Sequence, residues 1–433
     1  MKSFFKKVIS AILQWEARLV LRKYRPKIIA ITGSVGKTST KDAIFAVLSP
    51  FFYIRKSEKS FNSEIGVPLA ILGLPNAWAS VSLWLKNIFS GLGLVIKKNK
   101  YPDILVLEVG ADRPGDIKKI SKWLSPDMAV ITRFGKVPVH VEFFKSPEAL
   151  IEEKSYLPRA LKKEGVLILN HDDEDAMSFK KHGKEGKIVS YGFEKGADIF
   201  GSAFDIFYGN EKTGAPLGIS FSARGKSGEA DVLVCGALGV QHAYPVLAAF
   251  AAGESLGLSL SKMAEAVSKM ENLPGRMKII AGINNSTIID DTYNSSPVAL
   301  HEAVNTLGKI KTEGRKIAVF GDMLELGKHS VDEHRKAGEA VAGIADLLII
   351  TGVRAKDMAL GALGQGMDFK KVIECENSAE AGQALKKILK DGDIALVKGS
   401  QGARMEKAVL AMMARPKEAE KLLVRQEVEW KNR

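Results

Sequence analysis

Short runs of apolar, β-branched residues alternate with stretches of helical periodicity along the chain from residue 27 onward. The runs are continuously apolar, which is the pattern of strands buried on both faces of a sheet. Strands that alternate with helices favour a parallel sheet with crossover helices. The predicted strands are KIIAIT, ILVLEVG, MAVITRF, GVLILN, STIIDD, KIAVFG, LLIITG and IALVKG.

The pattern changes twice along the chain. Between about residues 184 and 235 it becomes a β-rich meander, and a helical stretch then leads to the turn PGRM. We place a domain boundary near residue 273. The expected fold class is therefore α/β: a basic amphipathic helix over 1–26, a central domain with a mostly parallel sheet over 27–273, and a Rossmann-like domain over 274–433 that ends in a charged helical tail.

Two stretches have the composition of surface-seeking helices. Residues 1–30 contain eight Lys and Arg residues against Glu16 alone, with apolar residues at helical spacing. They lack the unbroken apolar run of a membrane span and the cleavage site of a secretory signal. Either this helix packs on the next domain or it lies on an anionic membrane surface. Residues 74–98 contain two tryptophans and are too polar to span a bilayer, which favours a core or lid helix over a membrane contact.

Composition limits the classes of function. The chain has 433 residues, 46% hydrophobic and 26% charged, as in an ordinary globular protein. Its two cysteines exclude a disulfide framework and a four-thiolate zinc site, and they suit a reducing cytoplasm. The net charge of +13 is compatible with nucleic-acid, membrane or nucleotide partners. No basic–aromatic interleaving or reading module accompanies it, so we expect no nucleic-acid partner, and a nucleic-acid-binding ATPase is a distant alternative.

The sequence KIIAITGSVGKTST predicts a phosphate-binding loop that is shorter than the standard G-x-x-x-x-G-K-[ST]. A strand ending at Thr32, a glycine turn and a helix bring free backbone N–H groups and a helix dipole to one point, which favours an anion. Lys37 is placed to reach the outer phosphates, and the Thr38 hydroxyl to ligate Mg²⁺. The predicted ATP-binding residues of this P-loop are Gly33, Ser34, Val35, Gly36, Lys37, Thr38 and Ser39.

This loop, T-G-S-V-G-K-T-S-T, resembles the Mur ligase superfamily and its folylpolyglutamate synthetase relatives. Later segments resemble the MurF branch in the same order: FNSEIGVPLAIL (61–72), LVLEVGADRPGDI (105–117), VHVEFFKSPEALIEEKSYL (139–157), PGRM (274–277), IIDDTYNSSP (288–297), FGDMLELG (320–327) and LVKGSQGARME (396–406). The resemblance covers about residues 27–410. Enzymes of that branch use ATP to add D-alanyl-D-alanine to a UDP-muramyl tripeptide. The resemblance therefore implies an ATP- and Mg²⁺-dependent amide ligase of cell-wall synthesis that works through an acyl phosphate.

The resemblance also implies roles for individual residues. Glu108 and His140 match metal ligands, and Lys154 matches a lysine that can be carbamylated into a further Mg²⁺ ligand. Arg276 is implied at the γ-phosphate and Asp291 at the ribose, so that the two domains would have to close to assemble the site. The implied catalytic set is Lys37, His140, Lys154 and Arg276, and the candidate substrate contacts are Asn62, Lys398, Ser400 and Arg404. Each has a structural alternative, such as a local hydrogen-bond network, a domain-boundary salt bridge, a helix cap or a turn.

Three departures from the family pattern affect the substrates. Only 26 residues precede the loop-bearing strand, where the family has a UDP-binding domain. Either another surface binds the UDP-sugar, a partner supplies its binding site, or the acceptor is not UDP-linked, a lipid-linked acceptor being one alternative. Val246 replaces an adenine-contacting Asn, and Ser296 replaces an Asn of the substrate region. We expect a cytoplasmic enzyme, with peripheral contact to the inner membrane face through residues 1–26 as the alternative that the basic helix leaves open.

Overall fold

The computed structural model describes residues 2–58, 61–77, 80–135, 144–183, 185–209, 214–427 and 430, with the side chains of residues 2–6 not described. The described strands form two sheets, one on each side of the predicted boundary. Both sheets are mostly parallel and covered by helices, so the predicted α/β fold class is confirmed. All eight predicted apolar runs form strands.

The first sheet and its helices occupy the chain up to residue 268. Its strands are β1 (Lys27–Thr32), β2 (Ile54–Lys56), β3 (Ile104–Glu108), β4 (Met128–Ile131), β5 (Val166–Asn170), β6 (Ile188–Gly192), β7 (Ile199–Tyr208), β8 (Pro216–Gly225) and β9 (Gly228–Cys235). The helices are α1 (Lys2–Tyr24), α2 (Lys37–Leu48), α3 (Gly66–Leu72), α4 (Val81–Ile96), α5 (Asp116–Ser121), α6 (Pro147–Arg159), α7 (Glu174–Met177), α8 (Ala243–Ser255) and α9 (Leu260–Ser268).

The strand order of the first sheet is β2-β3-β1-β4-β5-β6-β7-β8-β9. Pairing is parallel from β2 to β7, and the predicted meander adds β8 and β9 antiparallel to it. The chain leaves β1 toward β3 on one side and later returns on its other side with β4. Such a switch in direction opens a crevice at the carboxyl ends of the strands, where open α/β sheets bind ligands.

Alternate residues of each central strand enter two separate cores, because successive side chains point to opposite faces of a sheet. Ile29 and Ile31 of β1 belong to a core with α2 and α8. Ile28 and Ala30 belong to a core with α1, α3 and α6. Layers of helix on both faces explain why the strands are apolar throughout.

The second sheet has the order β10-β11-β15-β12-β13-β14, parallel except for the β10–β11 pair. Its strands are β10 (Lys278–Ala281), β11 (Thr287–Asp291), β12 (Lys316–Gly321), β13 (Leu347–Thr351), β14 (Val372–Cys375) and β15 (Ile394–Lys398). Its helices are α10 (Pro297–Lys309), α11 (Ser330–Ala342), α12 (Lys356–Gly364), α13 (Ser378–Ile388), α14 (Glu406–Met412) and α15 (Ala419–Leu422).

The predicted helical tail is interrupted after α15, because residues 423–427 are not helical. Arg425 adopts a left-handed backbone conformation with φ 59°. Its buried guanidinium donates to Glu406 Oε2 and to the carbonyl of Thr292, both at 3.0 Å. The chain turns inward here because the buried Glu406 carboxylate requires a charged partner.

The segment after the predicted boundary is bonded to both sheets. The Leu238 N–H donates to the carbonyl of Met277, and the Ile279 N–H donates to the carbonyl of Gly236, both at 3.0 Å. On the other side, the Tyr293 N–H donates to the carbonyl of Gly275 at 2.9 Å. Residues 275–279, of which the last two begin β10, thus form a bonded connection rather than a loose linker.

Helix α1 packs on the first sheet, and α4 packs against α1. Leu13, Ala17 and Val20 are fully buried in the core beneath α1. At the ends of the two helices, the Lys23 ammonium donates to the carbonyls of Leu94 (3.0 Å) and Val95 (2.8 Å). No helix among the described residues is long and apolar enough to cross a bilayer.

Candidate active site

The loop between β1 and α2 has the geometry that its two glycines were predicted to provide. Gly33 has φ 145°, and a Cβ there would lie 2.0 Å from Thr132 Oγ1. Gly36 has φ 87°, with open space around its Cβ position. Glycine is therefore required at 33 for close approach to β4 and at 36 for a left-handed turn.

The end of β4 holds this loop in place. The N–H groups of Ser34 and Val35 donate to the carbonyl of Arg133 at 2.9 and 3.0 Å. The Thr132 hydroxyl donates to the carbonyl of Val35 at 2.7 Å. These bonds use two N–H groups of the loop and leave those at the start of α2 for a ligand.

Two observations fit a nucleotide phosphate at this point. The first turn of α2 has no acidic residue and no side-chain cap, so its N–H groups and the positive end of the helix dipole remain available. In addition, Ser34 Oγ is a buried atom with no hydrogen-bond partner among the described residues. An anion accepting from Ser34 and from the helix N-terminus would satisfy both.

Two predicted catalytic lysines converge on one backbone carbonyl. Lys37 Nζ lies 3.0 Å and Lys154 Nζ 2.9 Å from the Gly33 oxygen. Burial lowers the pKa of Lys37, an effect that Glu108 opposes and Arg276 reinforces. Lys154 is only 3% exposed. Burial, and then the charge of Lys37, hold the pKa of Lys154 well below its usual value, which favours a neutral amine.

Glu108 and Thr38, both predicted metal ligands, are in direct contact. Glu108 ends β3 and is 2% exposed. The Thr38 hydroxyl donates to Glu108 Oε2 at 2.9 Å, and Asn62 Nδ2 donates to Oε1 at 3.2 Å. A hydroxyl and a carboxylate are the oxygen donors that Mg²⁺ prefers, so these residues fit the implied metal.

The rest of the implied metal set is less complete. His140 lies outside the described residues. Within the described ranges, no cluster of three His, Cys, Asp or Glu side chains could hold a metal. Any magnesium ion at Glu108 would therefore depend on water, substrate phosphates and residues beyond that set.

Arg276 comes from the bonded connection between the sheets, and its charge is near enough to Lys37 to affect it. Its guanidinium stacks on the Tyr293 ring, 4.2 Å from the centroid. Its carbonyl oxygen lies 2.9 Å from Nε2 of His242, and burial lowers the pKa of His242 to about 4, so this ring is neutral and donates. Arg276 also helps lower the pKa of Lys37, after burial, which places its charge on the same side of the crevice.

The predicted ribose ligand Asp291 is engaged within its own domain. Its Oδ2 lies 2.6 Å from Nζ of Lys398, which is 2% exposed, and its Oδ1 accepts from the Met277 N–H at 3.2 Å. In this arrangement neither charge is offered to a ligand. The roles of Asp291 at the ribose and of Lys398 at the substrate stay predictions.

The remaining candidates after β15 also have local partners. Ser400 Oγ accepts from the Leu324 N–H at 2.9 Å and donates to the carbonyl of Ser295 at 3.3 Å. Arg404 has φ 52°, and its Nε donates to Glu406 at 2.5 Å. The structure thus gathers these residues beside the loop after β11, and their substrate roles stay predictions.

The MurF-like loop 320–327 also serves its own domain. Asp322 Oδ1 accepts from the Ala355 N–H at 2.8 Å. The buried His334 accepts from the Met323 N–H at 3.0 Å. These contacts hold the loop within the second domain.

Sequence reasoning missed the ion pair that joins the loop to the second domain. Arg133, whose carbonyl holds the loop, donates from its side chain to Glu302 of α10. Burial raises the pKa of Glu302, and Arg133 opposes that rise. The two residues are 169 positions apart, and no local pattern connects them.

It also missed Glu153, the neighbour of Lys154. This buried carboxylate accepts from three N–H groups at the start of α5: Gly115 and Ile117 at 2.8 Å and Lys118 at 3.1 Å. It therefore fixes α6, and with it Lys154, against α5. The adjacent acids in IEEKSYL were the signal available in the sequence.

Comparison with known proteins matches both halves of the chain to one family. The profile described as "Mur ligase middle domain" matches residues 88–253, and "Mur ligase, glutamate ligase domain" matches residues 275–401. A similar protein is the UDP-N-acetylmuramoyl-tripeptide–D-alanyl-D-alanine ligase of Bacillus subtilis, 28% identical over 93% of this chain and 79% of its own length. The Mycobacterium leprae protein of the same name is 27% identical over 86% and 71%.

Solved structures agree with this match. The structure of MurF from Acinetobacter baumannii has a TM-score of 0.75 and 25% identity, and the match covers 92% of this chain and 79% of that one. MurF from Thermotoga maritima, in complex with ADP, shares the fold with a TM-score of 0.75 at 24% identity, over 95% and 84% of the two chains. The chain carries the middle and C-terminal domains in the expected order and therefore belongs to the Mur ligase family.

Proposed function

We propose that this chain is an ATP-dependent carbon–nitrogen ligase of MurF type. It would join D-alanyl-D-alanine, or a similar amino substrate, to the terminal carboxyl group of a cell-wall peptide precursor and release ADP and phosphate. The observation that supports this most is the convergence of Lys37, Lys154, Thr38 and Glu108 at the carboxyl ends of β1 and β3. The relatives that bear the MurF name support the same reaction class.

The chemistry requires two anions to meet. A carboxylate oxygen of the acceptor attacks the γ-phosphorus of ATP, the bond to the bridging oxygen breaks, and ADP leaves. The amine then attacks the carbonyl carbon of the acyl phosphate, loses a proton, and phosphate departs. Lys37 and the N–H groups at the start of α2 are placed to neutralise the transferring phosphoryl group, with Arg276 approaching from the second domain.

Magnesium, when bound, would supply further positive charge to offset that of the phosphates. Thr38 and Glu108 are the described residues that would hold it, and Asn62 would orient the carboxylate from its other oxygen. His140 and Lys154 complete the proposed set.

Lys154 fits the proposed carbamylation because its amine is buried and its pKa is held well below the usual value, which favours the neutral form. A neutral amine adds to the carbon of CO₂ and releases a proton, which gives a carbamate with two oxygen donors. This converts an amine beside Lys37 into an anion that could ligate a metal. Lys154 points at Gly33 of the phosphate loop, where such a ligand would be useful.

The experiment is an ADP-release assay with Mg-ATP, UDP-muramyl tripeptide and D-alanyl-D-alanine, with the product identified by mass. We expect ADP release to require both organic substrates and the amide product to appear in equal amount. Lys37→Ala should reduce it by at least about 100-fold. Lys370→Ala, an exposed lysine of the second domain, is the matched control. ADP release without amide formation would instead indicate a P-loop ATPase.

A second candidate function is ligation to a lipid-linked or other non-UDP acceptor. It is favoured by the basic, partly apolar surface of α1 and α4, which suits peripheral contact with the inner membrane face. If activity appears only with such an acceptor, this second function replaces the first proposal. A partner that supplies acceptor binding would be indicated if neither acceptor reacts until that partner is added.

We place the reaction in the cytoplasm, where ATP is available. Cys235 and Cys375 are both free thiols, which suits a reducing compartment. Fractionation of cells into cytosolic, membrane and extracytoplasmic material tests this placement.

A further inference from the structure

Helix α4 presents an apolar stripe that nothing in the described structure covers. Val81, Leu85, Phe89 and Ile96 are all exposed, Phe89 at 69% and Ile96 at 79%. At 100° per residue these four side chains lie within an arc of about 80°. The stripe is about 22 Å long. The residues of α4 that are buried, Trp84, Asn87 and Gly91, lie on another side of the helix.

The neighbouring helix α1 presents a basic face with an aromatic residue in it. Lys7, Ala11, Trp15, Arg18 and Arg22 are exposed and lie within an arc of about 80°. Trp15 is 54% exposed. Together with the α4 stripe, these residues form what we term the α1–α4 face.

The sequence of the segments that carry this face is rich in cations and poor in acids. Residues 1–30 and 65–102 contain twelve Lys and Arg residues and one acid, Glu16, so they account for most of the chain's net charge of +13. Glu16 is fully buried. Lys97, Lys98 and Lys100 follow directly after the stripe and are exposed.

We propose that the α1–α4 face lies on the surface of an anionic lipid bilayer. An apolar stripe flanked by Lys and Arg, with a Trp in the basic face, is the pattern of a helix that lies in the plane of a membrane interface. No described helix can span a bilayer, so the contact is peripheral. A protein partner would be expected to meet a rim of both charge signs, whereas the exposed charges here are positive.

The buried side of α1 contacts a segment of the candidate site. Ser10 Oγ donates to the carbonyl of Glu64 at 3.4 Å, in the segment whose Asn62 binds Glu108. Membrane binding does not depend on the proposed ligase activity, because it requires only the surface.

The test is flotation of the full chain with lipid vesicles. We expect the protein to float with vesicles of phosphatidylcholine mixed with phosphatidylglycerol, to float much less with phosphatidylcholine alone, and to be released by added salt. Phe89→Ser should weaken binding by about tenfold. The double variant Lys97→Glu with Lys98→Glu should weaken it at least about tenfold.

The second domain offers matched controls. Phe369 is 71% exposed and is followed by the exposed Lys370 and Lys371. Phe369→Ser, and Lys370→Glu with Lys371→Glu, make the same chemical changes away from the proposed face and should leave flotation unchanged. Equal thermal unfolding midpoints for each variant and its control would show that folding is intact.

Three results would overturn the proposal. The first is that the wild-type chain does not float with anionic vesicles. The second is that the control variants weaken flotation as much as the α1–α4 variants do. Alternatively, sedimentation would show a dimer that Phe89→Ser dissociates, and the face would then be covered by a second copy of the chain. None of these measurements uses catalytic activity, so they are independent of whether the ligase assay succeeds.

Discussion

Glu16 provides a quantitative test of how α1 and α4 are held together. The residue is fully buried, and neither carboxyl oxygen has a hydrogen-bond partner among the described residues. It fills the space opposite Gly91, where a Cβ would lie 2.2 Å from Glu16 Oε2. Burial raises the pKa of this carboxyl from 4.5 to about 7. The perturbation is Glu16→Gln, which keeps the shape and removes the ionisation.

The sign follows from the raised pKa. A carboxyl whose pKa is higher in the folded than in the unfolded state contributes fully below pH 4.5, and that contribution is lost as the pH rises toward 7. The difference between the two pKa values corresponds to about 3 kcal/mol. The free energy of opening α1 in Glu16→Gln, minus that in the wild type, should therefore increase by about 3 kcal/mol as the pH rises from about 4.5 to 8. The buried amide of Gln has its own constant cost, which shifts the curve without changing its slope.

Hydrogen exchange of the α1 amides reads this contact directly, because it measures local opening. After correction for intrinsic exchange rates, the ratio of variant to wild-type protection should rise by roughly 100-fold from low to high pH. Glu265→Gln is the control, because Glu265 is exposed and the hydrogen bond from Lys269 lowers its pKa. A ratio that stays flat, or falls as the pH rises, would refute the reasoning.

Three further predictions concern the candidate site. Lys154→Met should lower ADP release by at least about 100-fold, and added bicarbonate should raise wild-type but not variant activity if the carbamate is required. Arg133→Ala and Glu302→Ala should each lower kcat/KM, with a double-mutant coupling of about 0.5–1.5 kcal/mol because the pair is partly exposed. A coupling near zero would show that this pair does not join the domains. Lys398→Met should lower the free energy of unfolding, measured in urea, by about 3 kcal/mol or more, because it leaves Asp291 buried without its partner. Adding Asp291→Leu should recover much of that loss. If it does not, the loss does not come from an unpaired Asp291 carboxylate.

Local sequence patterns predicted the phosphate loop because its geometry depends on nearby residues. Two glycines, a lysine and a threonine directly after a buried strand are sufficient to specify a turn and a helix start. Glu108 could be placed beside this loop because the carboxyl ends of parallel strands meet at one edge of a sheet. Contacts between Thr38 and Glu108 then follow from the strand order.

Contacts between distant parts of the chain could not be predicted in this way. Arg133 and Glu302 meet only because the two sheets adopt a particular relative position, which no periodicity encodes. The turn at Arg425 depends on a buried partner, Glu406, on another element. Residues 74–98 were predicted to form a core or lid helix, and α4 exposes half of its large apolar side chains. Hydrophobic spacing shows that a helix has an apolar stripe but not what covers it.

Residues 275–279 have a consequence for how the enzyme responds to its substrates. Arg276 lies inside a segment whose backbone is hydrogen-bonded to the first sheet at Leu238 and Gly236 and to the second at Tyr293. A change in the angle between the sheets must therefore move this guanidinium or break one of those bonds. The proposed contact of Arg276 with the γ-phosphate would then link nucleotide affinity to the angle between the sheets. A ligand that fixes this angle, such as an acceptor peptide, would change the affinity for ATP, and ATP would change the affinity for that ligand by the same factor.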